Sequence, residues 1–480
     1  MDRLGNFVNI YGNTKIKIIC TIGPATSNVE HVLKLAQAGM NIARLNFAHG
    51  THEEHLKHIT NIRSVSKTLG YHIPIFADLG GPKLRLGNIE KEFEVEPGDM
   101  LIITTENIIG TRQKISTSYS RLPQDVKKGD VILIDDGYIS LEVKEIIGSE
   151  VYCIVTNGGT IKSRKGMNLP GIRINTPTIT EKDRDDIDFA LQHGIDFFAL
   201  SFVRSYHDID LLREILLKKS AHNPIIAKIE KPEAIEDIDE IISHSDAVMI
   251  ARGDLGVEMP TEEVPLLQKR IIEKCKNAST PVITATQMLE SMVKNSLPTR
   301  AEASDVANAV FDGTDAVMLS AETSVGKHPD VAVAMMKKII SRSERECIPN
   351  PELFSSSFRT NQFAIDLSKA ACAIAQDTNA SAIFAITKTG RTARHLSKFR
   401  VHTPIYAFTD NKRTMNFLQL VWGVSCYYLE NFEETDATLH MVKKFALEQH
   451  LIEKDNIIVF VTGIPLQTST EVNMIKLDKV

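Results

Sequence analysis

The sequence predicts a (β/α)8 TIM barrel with an inserted small all-β lid domain and a C-terminal open α/β domain. Two observations lead to this fold class. Eight short apolar strands recur along the chain, and an amphipathic helical stretch follows most of them. Such alternation favours parallel strands with crossover helices, and eight units favour a closed barrel. The strands are expected at Ile16–Cys20, Asn41–Asn46, Pro74–Asp78, Phe197–Ser201, Pro224–Ile229, Ala247–Ala251, Pro281–Thr286 and Ala316–Ser320.

Length and composition limit the class of protein. A chain of 480 residues is too long for one ordinary domain, and 43% hydrophobic with 24% charged residues is typical of soluble globular proteins. The net charge of −6 argues against a general attraction to nucleic acid. The opening segment lacks the apolar core of a signal peptide, and no run reaches the roughly 20 apolar residues of a membrane span. Six cysteines without CxxC spacing indicate reduced thiols and a cytoplasmic protein.

The strand–helix alternation is interrupted after the third strand. Residues 87–174 contain short β-rich runs between turn signals, such as Pro97-Gly98-Asp99 and Lys128-Gly129-Asp130. This pattern predicts a β domain inserted at the catalytic face of the barrel, where it acts as a lid or as a passive insertion. The barrel is then expected to comprise residues 1–86 and 175–345.

A second alternating region follows a linker at Ile348–Pro351. Residues 346–480 predict a separate open α/β domain, and a regulatory role for it is expected only from the resemblance given below. Its strands are expected at Ala382–Thr387, Pro404–Phe408, Ser425–Leu429 and Asn456–Val461, and its helices at Ala364–Asp377, Arg391–Lys398, Lys412–Leu420 and Asp436–Glu448.

Charged and small polar residues cluster where barrel strands end, which is where catalytic residues of this fold lie. Lys228 and Glu230 are two positions apart on one strand, so their side chains point to the same face. The isoleucines around them indicate a buried strand, in which an ion pair is costly unless it binds something. A simple surface ion pair is the alternative.

The next strand ends at Asp254, which we expect in a glycine-flanked turn that projects into the barrel mouth. With Glu230 it supplies two carboxylates, a set suited to Mg²⁺; a helix-capping role for Asp254 is the alternative. Further along, strand is expected to become helix at Thr286-Gln287. Arg44 and Asn46 share one face of the second strand, and an arginine there suits a phosphate.

Some nucleotide-binding signatures are missing. The sequence has no GxxxxGK[ST] loop and no strand–GxGxxG–helix unit, so neither a P-loop nor a dinucleotide site is indicated.

Eight segments, in order and spanning nearly the whole chain, resemble the pyruvate kinase family. They are IKIICTIGPAT, GMNIARLNFAHG, SRKGMNLPG, IIAKIE, VMIARGDLGVE, VITATQMLESM, PTRAEASDVANAVFDGTDAVMLSAET and TKTGRTA. The resemblance implies transfer of a phosphoryl group from phosphoenolpyruvate to ADP, with Mg²⁺ or Mn²⁺ as cofactor, and a homotetramer.

The resemblance also implies roles for individual residues. Lys228 stabilises charge on the phosphoryl group and enolate, and Arg44 contacts the phosphoryl group. Gly253 and Thr286 contact the substrate, and Thr286 helps to deliver a proton. Glu230 and Asp254 hold the metal, with Asp254 also at the substrate, while the nucleotide is bound by Asn46, His49, Arg85 and Lys165.

One departure from the family concerns potassium. The resemblance places a monovalent-cation pocket at Asn46, Ala48, Asp78 and Leu79, where Ala48 replaces a serine and Leu79 a threonine. Lys83 stands where potassium-dependent relatives carry glutamate. We therefore expect that the ammonium of Lys83 replaces K⁺, which is not required; a solvent-facing Lys83 with K⁺ still bound is the alternative.

A second expectation concerns regulation. Thr387, Lys388, Thr389, Gly390, Arg391 and Thr392 follow a strand and open a helix, which suits a phosphate, or only a helix cap. The family resemblance implies a phosphorylated effector. Because the loop Thr462–Thr470 lacks basic and glycine-rich character, we expect a monophosphate rather than fructose 1,6-bisphosphate.

Two other functions remain open on the sequence. A Mg²⁺-dependent 2-oxoacid lyase on this barrel would need Glu230 and Asp254 but not Arg85, the inserted domain or a nucleotide. A non-catalytic binding protein would have lost some of Arg44, Lys228, Glu230, Asp254 and Thr286, and all five are present.

Overall fold

The computed structural model describes residues 14–172, 174, 176–347, 362–430, 432, 434–466 and 471–480. The predicted linker at Ile348–Pro351 and the last four residues of the predicted loop Thr462–Thr470 lie outside them. None of the helices in these ranges is both long and apolar enough to cross a membrane.

A closed barrel of eight parallel strands confirms the predicted fold class. Its strands are almost entirely buried and mostly apolar, as expected of parallel strands covered on both faces. They are β1 (Lys17–Thr21), β2 (Ile42–Asn46), β3 (Ile75–Asp78), β12 (Phe197–Leu200), β13 (Ile225–Ile229), β14 (Ala247–Ala251), β15 (Val282–Ala285) and β16 (Ala316–Leu319).

Helices cover the outside of the barrel, and several begin with a capping box that the sequence encodes. Thr51, Thr180 and Thr299 each accept the backbone N–H three residues on. The helices are α1 (Val29–Ala38), α2 (His52–Leu69), α4 (Glu181–Gln192), α5 (Tyr206–Lys218), α6 (Pro232–Glu236), α7 (Ile238–His244), α8 (Arg252–Glu258), α9 (Val264–Ala278), α10 (Arg300–Asp312), α11 (Ala321–Ser324) and α12 (Pro329–Glu344).

The inserted segment between β3 and α4 forms its own sheets around its own apolar core. Its elements are β4 (Phe93–Val95), β5 (Met100–Thr104), β6 (Lys114–Ser116), α3 (Leu122–Asp125), β7 (Val131–Ile134), β8 (Ile139–Ile147), β9 (Glu150–Asn157), β10 (Gly159–Ile161) and β11 (Met167–Asn168). The amide of Asn168 donates to Glu258 at 2.9 Å, which ties this domain to the end of α8.

The C-terminal domain is a five-stranded α/β sheet of order β19-β18-β17-β20-β21. The sequence analysis missed its last strand, which pairs antiparallel with β20 and has mostly exposed or half-buried residues that give no apolar signal. The elements are α13 (Gln362–Asp377), β17 (Ala382–Ile386), α14 (Arg391–Ser397), β18 (Ile405–Thr409), α15 (Lys412–Leu418), β19 (Val424–Tyr428), α16 (Thr435–Glu448), β20 (Ile457–Thr462) and β21 (Met474–Lys479).

The C-terminal domain closes the amino-terminal end of the barrel. Phe417 and Leu420 join the cluster of side chains that fills the barrel interior, and the rings of Phe417 and Phe197 meet edge to face at 6.1 Å. The catalytic face is at the other end, because parallel strands all point the same way.

A buried ion pair fixes this junction. Arg400 donates to the carboxylate of Asp315 at 3.0 Å and lies over the ring of Trp422, which is the only tryptophan of the chain. The backbone N–H groups of Trp422 and Val282 donate to the same carboxylate. One side chain thus joins two barrel strands to the C-terminal domain.

Arg400→Met is expected to destabilise the junction by about 3 kcal/mol, because it leaves the buried charge of Asp315 without its cation. The urea midpoint of the Trp422 fluorescence transition should fall. Arg342→Met is the control: it removes an exposed pair with Glu346 and should change stability by less than about 0.5 kcal/mol. An unchanged Trp422 midpoint for Arg400→Met would contradict this role of the pair.

Candidate active site

The carboxylate of Asp78 lies between two cations at the carboxyl ends of neighbouring strands. Strands β2 and β3 pair so that Asn46 stands beside Asp78. Arg44 donates to Asp78 Oδ2 through Nε at 2.8 Å and Nη2 at 2.6 Å, and Lys228 Nζ lies 3.1 Å from Oδ1. The three side chains are 1–9% exposed.

Lys228 is held on three sides. Its Nζ lies 2.8 Å from Glu230 Oε1 and 2.7 Å from Ser201 Oγ, in addition to Asp78. Burial by itself would lower the pKa of Lys228, but the carboxylates of Asp78, Glu230 and Asp254 outweigh burial and raise it. Lys228 is therefore a fixed cation at neutral pH. The strand geometry expected for Lys228 and Glu230 is the one found.

Burial also acts on the two carboxylates. For Asp78, burial favours the neutral acid, but Lys228 and Arg44 overcome it and lower the pKa. For Glu230, burial raises the pKa, and the neighbouring Asp254 adds to that rise against the opposing effect of Lys228. The charges of Glu230 and Asp254 thus repel each other, a repulsion that a divalent cation held by both would relieve.

The segment around Asp254 differs from the expectation. Asp254 is not in a turn but in the first turn of the short helix α8, which begins directly where β14 ends. The helix starts here because residues 252–259 satisfy their own backbone groups, including Met259 N–H to Leu255 C=O at 2.9 Å. Asp254 remains half-buried and lines a pocket with Lys83, between the barrel and the inserted domain.

The segment around Thr286 also differs. The sequence analysis expected a helix from Thr286-Gln287, but both residues have left-handed backbones, with φ of 68° and 54°, and a single 3₁₀ turn follows at Glu290–Val293. Two groups hold this unfavourable conformation. Gly253 N–H donates to Thr286 Oγ1 at 2.7 Å, and Arg252 donates to the Thr286 carbonyl at 2.9 Å. Gly253, Asp254 and Thr286 are thereby brought together.

The residues expected to bind nucleotide lie on both sides of the cleft. His49 is exposed on the loop after β2; burial of part of its ring, then the charges of Arg85 and Lys83, lower its pKa, so it is neutral at pH 7. Arg85 pairs its backbone with Gly166 and donates to the Arg164 carbonyl at 3.1 Å.

Two of these residues make contacts of their own within the protein. Lys165 forms an ion pair with Asp135 at 2.7 Å, which a nucleotide would have to displace or share. Asn46 Oδ1 accepts the N–H of Ala48 at 3.1 Å.

Sequence reasoning missed three groups that position the charged side chains of the site. Ser201 binds Lys228, Thr21 accepts from Arg44 Nη1 at 2.9 Å, and the Phe202 N–H donates to Glu230 Oε2 at 2.8 Å. Thr21 and Ser201 both stand at strand ends, so the position of small polar residues was the available signal. The Phe202 contact depends on a left-handed backbone, φ 56°, for which the sequence gives no signal.

The donor set fits a divalent metal. Among the described residues, no group of three or more His, Cys, Asp or Glu could hold a metal ion. Two carboxylates, with water and substrate oxygens for the other positions, are nevertheless what Mg²⁺ takes in phosphoryl-transfer sites.

Comparison with family models identifies the family of the chain. The pyruvate kinase barrel domain matches residues 13–333, and the pyruvate kinase alpha/beta domain matches residues 366–477. The chain belongs to the pyruvate kinase family. It is therefore an enzyme, which argues against the non-catalytic alternative, and neither match favours the lyase.

Individual relatives extend this similarity over nearly the whole chain. The chain is 44% identical to pyruvate kinase of Geobacillus stearothermophilus, with 96% of this chain and 80% of that protein covered. It is 43% identical to pyruvate kinase of Corynebacterium efficiens, with 96% and 97% covered. A crystal structure of a pyruvate kinase from Cryptosporidium parvum superposes with a TM-score of 0.92 at 41% identity, covering 98% and 97% of the two chains.

Asp78→Asn tests the central charge balance. The variant should be about 3 kcal/mol less stable than wild type at pH 7, because Arg44 and Lys228 lose the carboxylate they share. A carboxyl whose folded pKa lies below its unfolded value stabilises fully above about pH 4, and this contribution is lost as pH falls further. The difference between the proteins should therefore be constant from about pH 7 to 5 and narrow below about pH 4.

Urea denaturation along this pH series measures the difference. Asp135→Asn, which breaks the partly exposed pair with Lys165, should change stability by less than about 1 kcal/mol. If the difference in stability between Asp78→Asn and wild type does not change with pH, the charge of the Asp78 carboxylate does not stabilise the folded protein.

Proposed function

We propose that the enzyme transfers the phosphoryl group of phosphoenolpyruvate to ADP, giving pyruvate and ATP as the last step of glycolysis. The observation that carries the proposal is that two buried cations, Arg44 and Lys228, share the carboxylate of Asp78, while Lys228 also pairs with Glu230 at 2.8 Å. Six free cysteines, five of them buried, support a reducing, cytoplasmic setting. A coupled assay with phosphoenolpyruvate, ADP and Mg²⁺ tests the activity.

Positive charge is the main requirement of this reaction. A β-phosphate oxygen of ADP forms a bond to phosphorus while the bond to the enol oxygen breaks, and that electron pair becomes the enolate. Arg44 faces the phosphoryl group and Lys228 faces the oxygen that becomes negative. Because both are fixed by Asp78 before substrate binds, no reorganisation is needed when charge develops.

Glu230 and Asp254 would hold the divalent cation, Mg²⁺ or Mn²⁺. When bound, such a cation supplies Lewis-acid stabilisation to the substrate oxygens. Gly253 and Thr286 complete the substrate site, and Asn46, His49, Arg85 and Lys165 contact ADP.

Protonation of the enolate carbon completes the reaction. Thr286 Oγ1 donates to the Ala285 carbonyl at 2.6 Å and accepts from Gly253. The hydroxyl is thus ordered but occupied, and it must turn from Ala285 to pass a proton to the enolate carbon, directly or through water.

K⁺ independence is supported by the way the oxygens of the expected pocket are used. Ser201 donates to the Leu79 carbonyl at 2.7 Å, and both oxygens of Asp78 accept from Arg44 or Lys228. Asn46 Oδ1 accepts a hydrogen bond from the backbone N–H of Ala48. The side chain of Ala48 itself offers no oxygen to a cation. A cation would have to compete with a donor for every one of these oxygens. Lys83 is exposed at the cleft, as the solvent-facing alternative assumes, and its charge helps to lower the pKa of His49. The replacement of K⁺ by the Lys83 ammonium therefore stays a prediction.

The regulatory part of the proposal is activation by a phosphate monoester at Thr387, Lys388, Thr389, Gly390, Arg391 and Thr392. Gly390 opens α14 with a left-handed backbone, φ 79°, and its N–H donates to Thr387 Oγ1 at 3.0 Å. A homotetramer is proposed on the resemblance alone.

Lys228→Met is expected to reduce kcat by about 10³-fold or more, because a preorganised cation supplying several kcal/mol to the transition state is lost. Far-UV circular dichroism and Mn²⁺ binding should change little. Retention of most of kcat would end the assignment of Lys228 as the charge stabiliser.

Glu230→Gln and Asp254→Asn should each raise the Mg²⁺ concentration that gives half-maximal rate by about tenfold or more, because each removes a charged ligand. Direct Mn²⁺ titration by electron paramagnetic resonance gives a readout besides activity. Asp136→Asn, a carboxylate lining the neighbouring pocket, is the control. Unchanged metal affinity in both ligand variants would mean that the carboxylates are structural.

The rate with Mg²⁺ should not rise when K⁺ is added to a buffer that holds ionic strength with tetramethylammonium. Lys83→Glu should lower this rate and produce a K⁺ response, because the tethered ammonium is replaced by a carboxylate that attracts a mobile cation. Strong K⁺ stimulation of the wild type refutes the proposal; Lys57→Glu, on the exposed face of α2, is the charge-matched control.

A further inference from the structure

A buried ion pair beside the catalytic cluster has no part in the proposed reaction. Lys231 Nζ donates to Glu258 Oε1, and the two side chains are 10% and 2% exposed. The side-chain amide of Asn168, on β11 of the inserted domain, donates to the same oxygen at 2.9 Å. One carboxylate oxygen therefore joins three parts of the molecule: the segment after β13, the end of α8 and the inserted domain.

Both members of the pair are close in sequence to a carboxylate of the proposed metal site. Lys231 directly follows Glu230, and Glu258 lies four residues after Asp254 in the helix α8. Residues four apart in a helix are neighbours on the same face. A shift of Glu258 relative to Lys231 therefore moves Asp254 relative to Glu230, and these are the two groups that would share a divalent cation.

A second route leads from the inserted domain to Glu230. The ring of Phe202 lies 5.8 Å from Lys231 Nζ, while the backbone N–H of Phe202 donates to Glu230 Oε2. Two residues further on, Arg204 donates to the carbonyl of Ile174 at 2.7 Å, on the segment that leads from the inserted domain back to α4. The inserted domain is therefore connected to both carboxylates and not only to the one on α8.

Charge balance explains why Glu258 matters more than a neutral residue of its size. A buried ion pair adds little net stability over apolar side chains, but the removal of one partner leaves the other charge buried without a counter-ion. Lys231 and Asp254 line the same cleft between the barrel and the inserted domain. Without Glu258, the ammonium of Lys231 would turn to Asp254, a carboxylate that a metal ion also needs.

We propose that Glu258 is a positioning residue for the reaction. It keeps the Lys231 ammonium away from Asp254, and through Asn168 it sets the spacing of Asp254 and Glu230 according to the position of the inserted domain. Metal affinity and the position of the inserted domain are therefore coupled. This inference rests on the proposed function in one respect, namely that Glu230 and Asp254 hold the divalent cation.

Mn²⁺ titration of the full chain by electron paramagnetic resonance, without substrates, tests the proposal on Asn168→Asp, Glu258→Gln and the double exchange of both. Glu258→Gln removes the partner of Lys231, and Asn168→Asp replaces the donor of the contact by a second carboxylate. Each should weaken Mn²⁺ binding by about tenfold, the effect of losing one charge-assisted hydrogen bond. The double exchange again places an amide opposite a carboxylate, to which Lys231 can donate, and should bind Mn²⁺ within about threefold of wild type.

This set of variants separates positioning from net charge. If charge alone decided the affinity, Glu258→Gln would weaken Mn²⁺ binding and Asn168→Asp would strengthen it, whereas the positioning role makes both variants weaker. The double exchange keeps the net charge of the wild type. Glu92→Gln is the matched control, because it removes the same charge from an exposed pair with Lys162 in the inserted domain and should change Mn²⁺ affinity by less than about twofold.

Steady-state kinetics give a second readout. Because neither Glu258 nor Asn168 touches the reacting atoms, the single variants should raise the Mg²⁺ concentration for half-maximal rate by about tenfold, while kcat at saturating Mg²⁺ stays within about threefold of wild type. A general loss of structure would instead lower kcat in the single variants and in the double exchange alike.

Two outcomes overturn the proposal: Asn168→Asp binds Mn²⁺ as tightly as wild type or more tightly, or the double exchange is as weak as the single variants. Glu230→Gln in the same titration distinguishes the failures. If it too leaves Mn²⁺ affinity unchanged, the proposed metal site fails together with this inference; if it alone weakens binding, only the positioning role fails. Asn168 is half-buried, so Asn168→Asp and the double exchange decide the question if Glu258→Gln does not fold.

Discussion

The catalytic face depends on one carboxylate placed between two cations. Asp78 is almost fully buried, and without it Arg44 and Lys228 would repel each other across the barrel mouth. With it, both cations are desolvated and aimed before a substrate arrives. Their positions follow from strand register, since β2 pairs with β3 and only β12 separates β3 from β13 in the closed barrel. The same buried geometry sets the pKa directions of Lys228, Asp78 and Glu230.

The surroundings of this cluster stabilise charged side chains that are costly to bury in the barrel. Each buried ionic group has neutral partners as well: Ser201 for Lys228, Thr21 for Arg44 and the Phe202 N–H for Glu230. The left-handed backbone at Phe202 provides one of these contacts, and the left-handed backbone at Thr286 brings its hydroxyl to Gly253. The strained backbone thus lies where chemistry is proposed, and the regular strands around it hold it in this unfavourable conformation.

The fold and most of the site were predictable because their signals are local. Apolar runs with polar ends identified all eight barrel strands to within about two residues. A strand that is buried on both faces is a nearly continuous apolar run, which is visible in the sequence. The spacing of Lys228 and Glu230 gave their common face. Two expectations about local structure failed. Asp254 lies in the short helix α8, which begins directly where β14 ends and whose sequence contains two glycines that favour a turn. Thr286 turns left-handed because Arg252 and Gly253, which are distant in the sequence, hold it. The β21 strand lacks an apolar signal because it lies at a sheet edge.

The junction with the C-terminal domain and the charged cluster at the mouth occupy opposite ends of the same parallel strands. Substitutions in α14 leave every group at the mouth in place, because the two sets of side chains share no residue. The two ends of the barrel can therefore diverge independently while the strands between them stay the same.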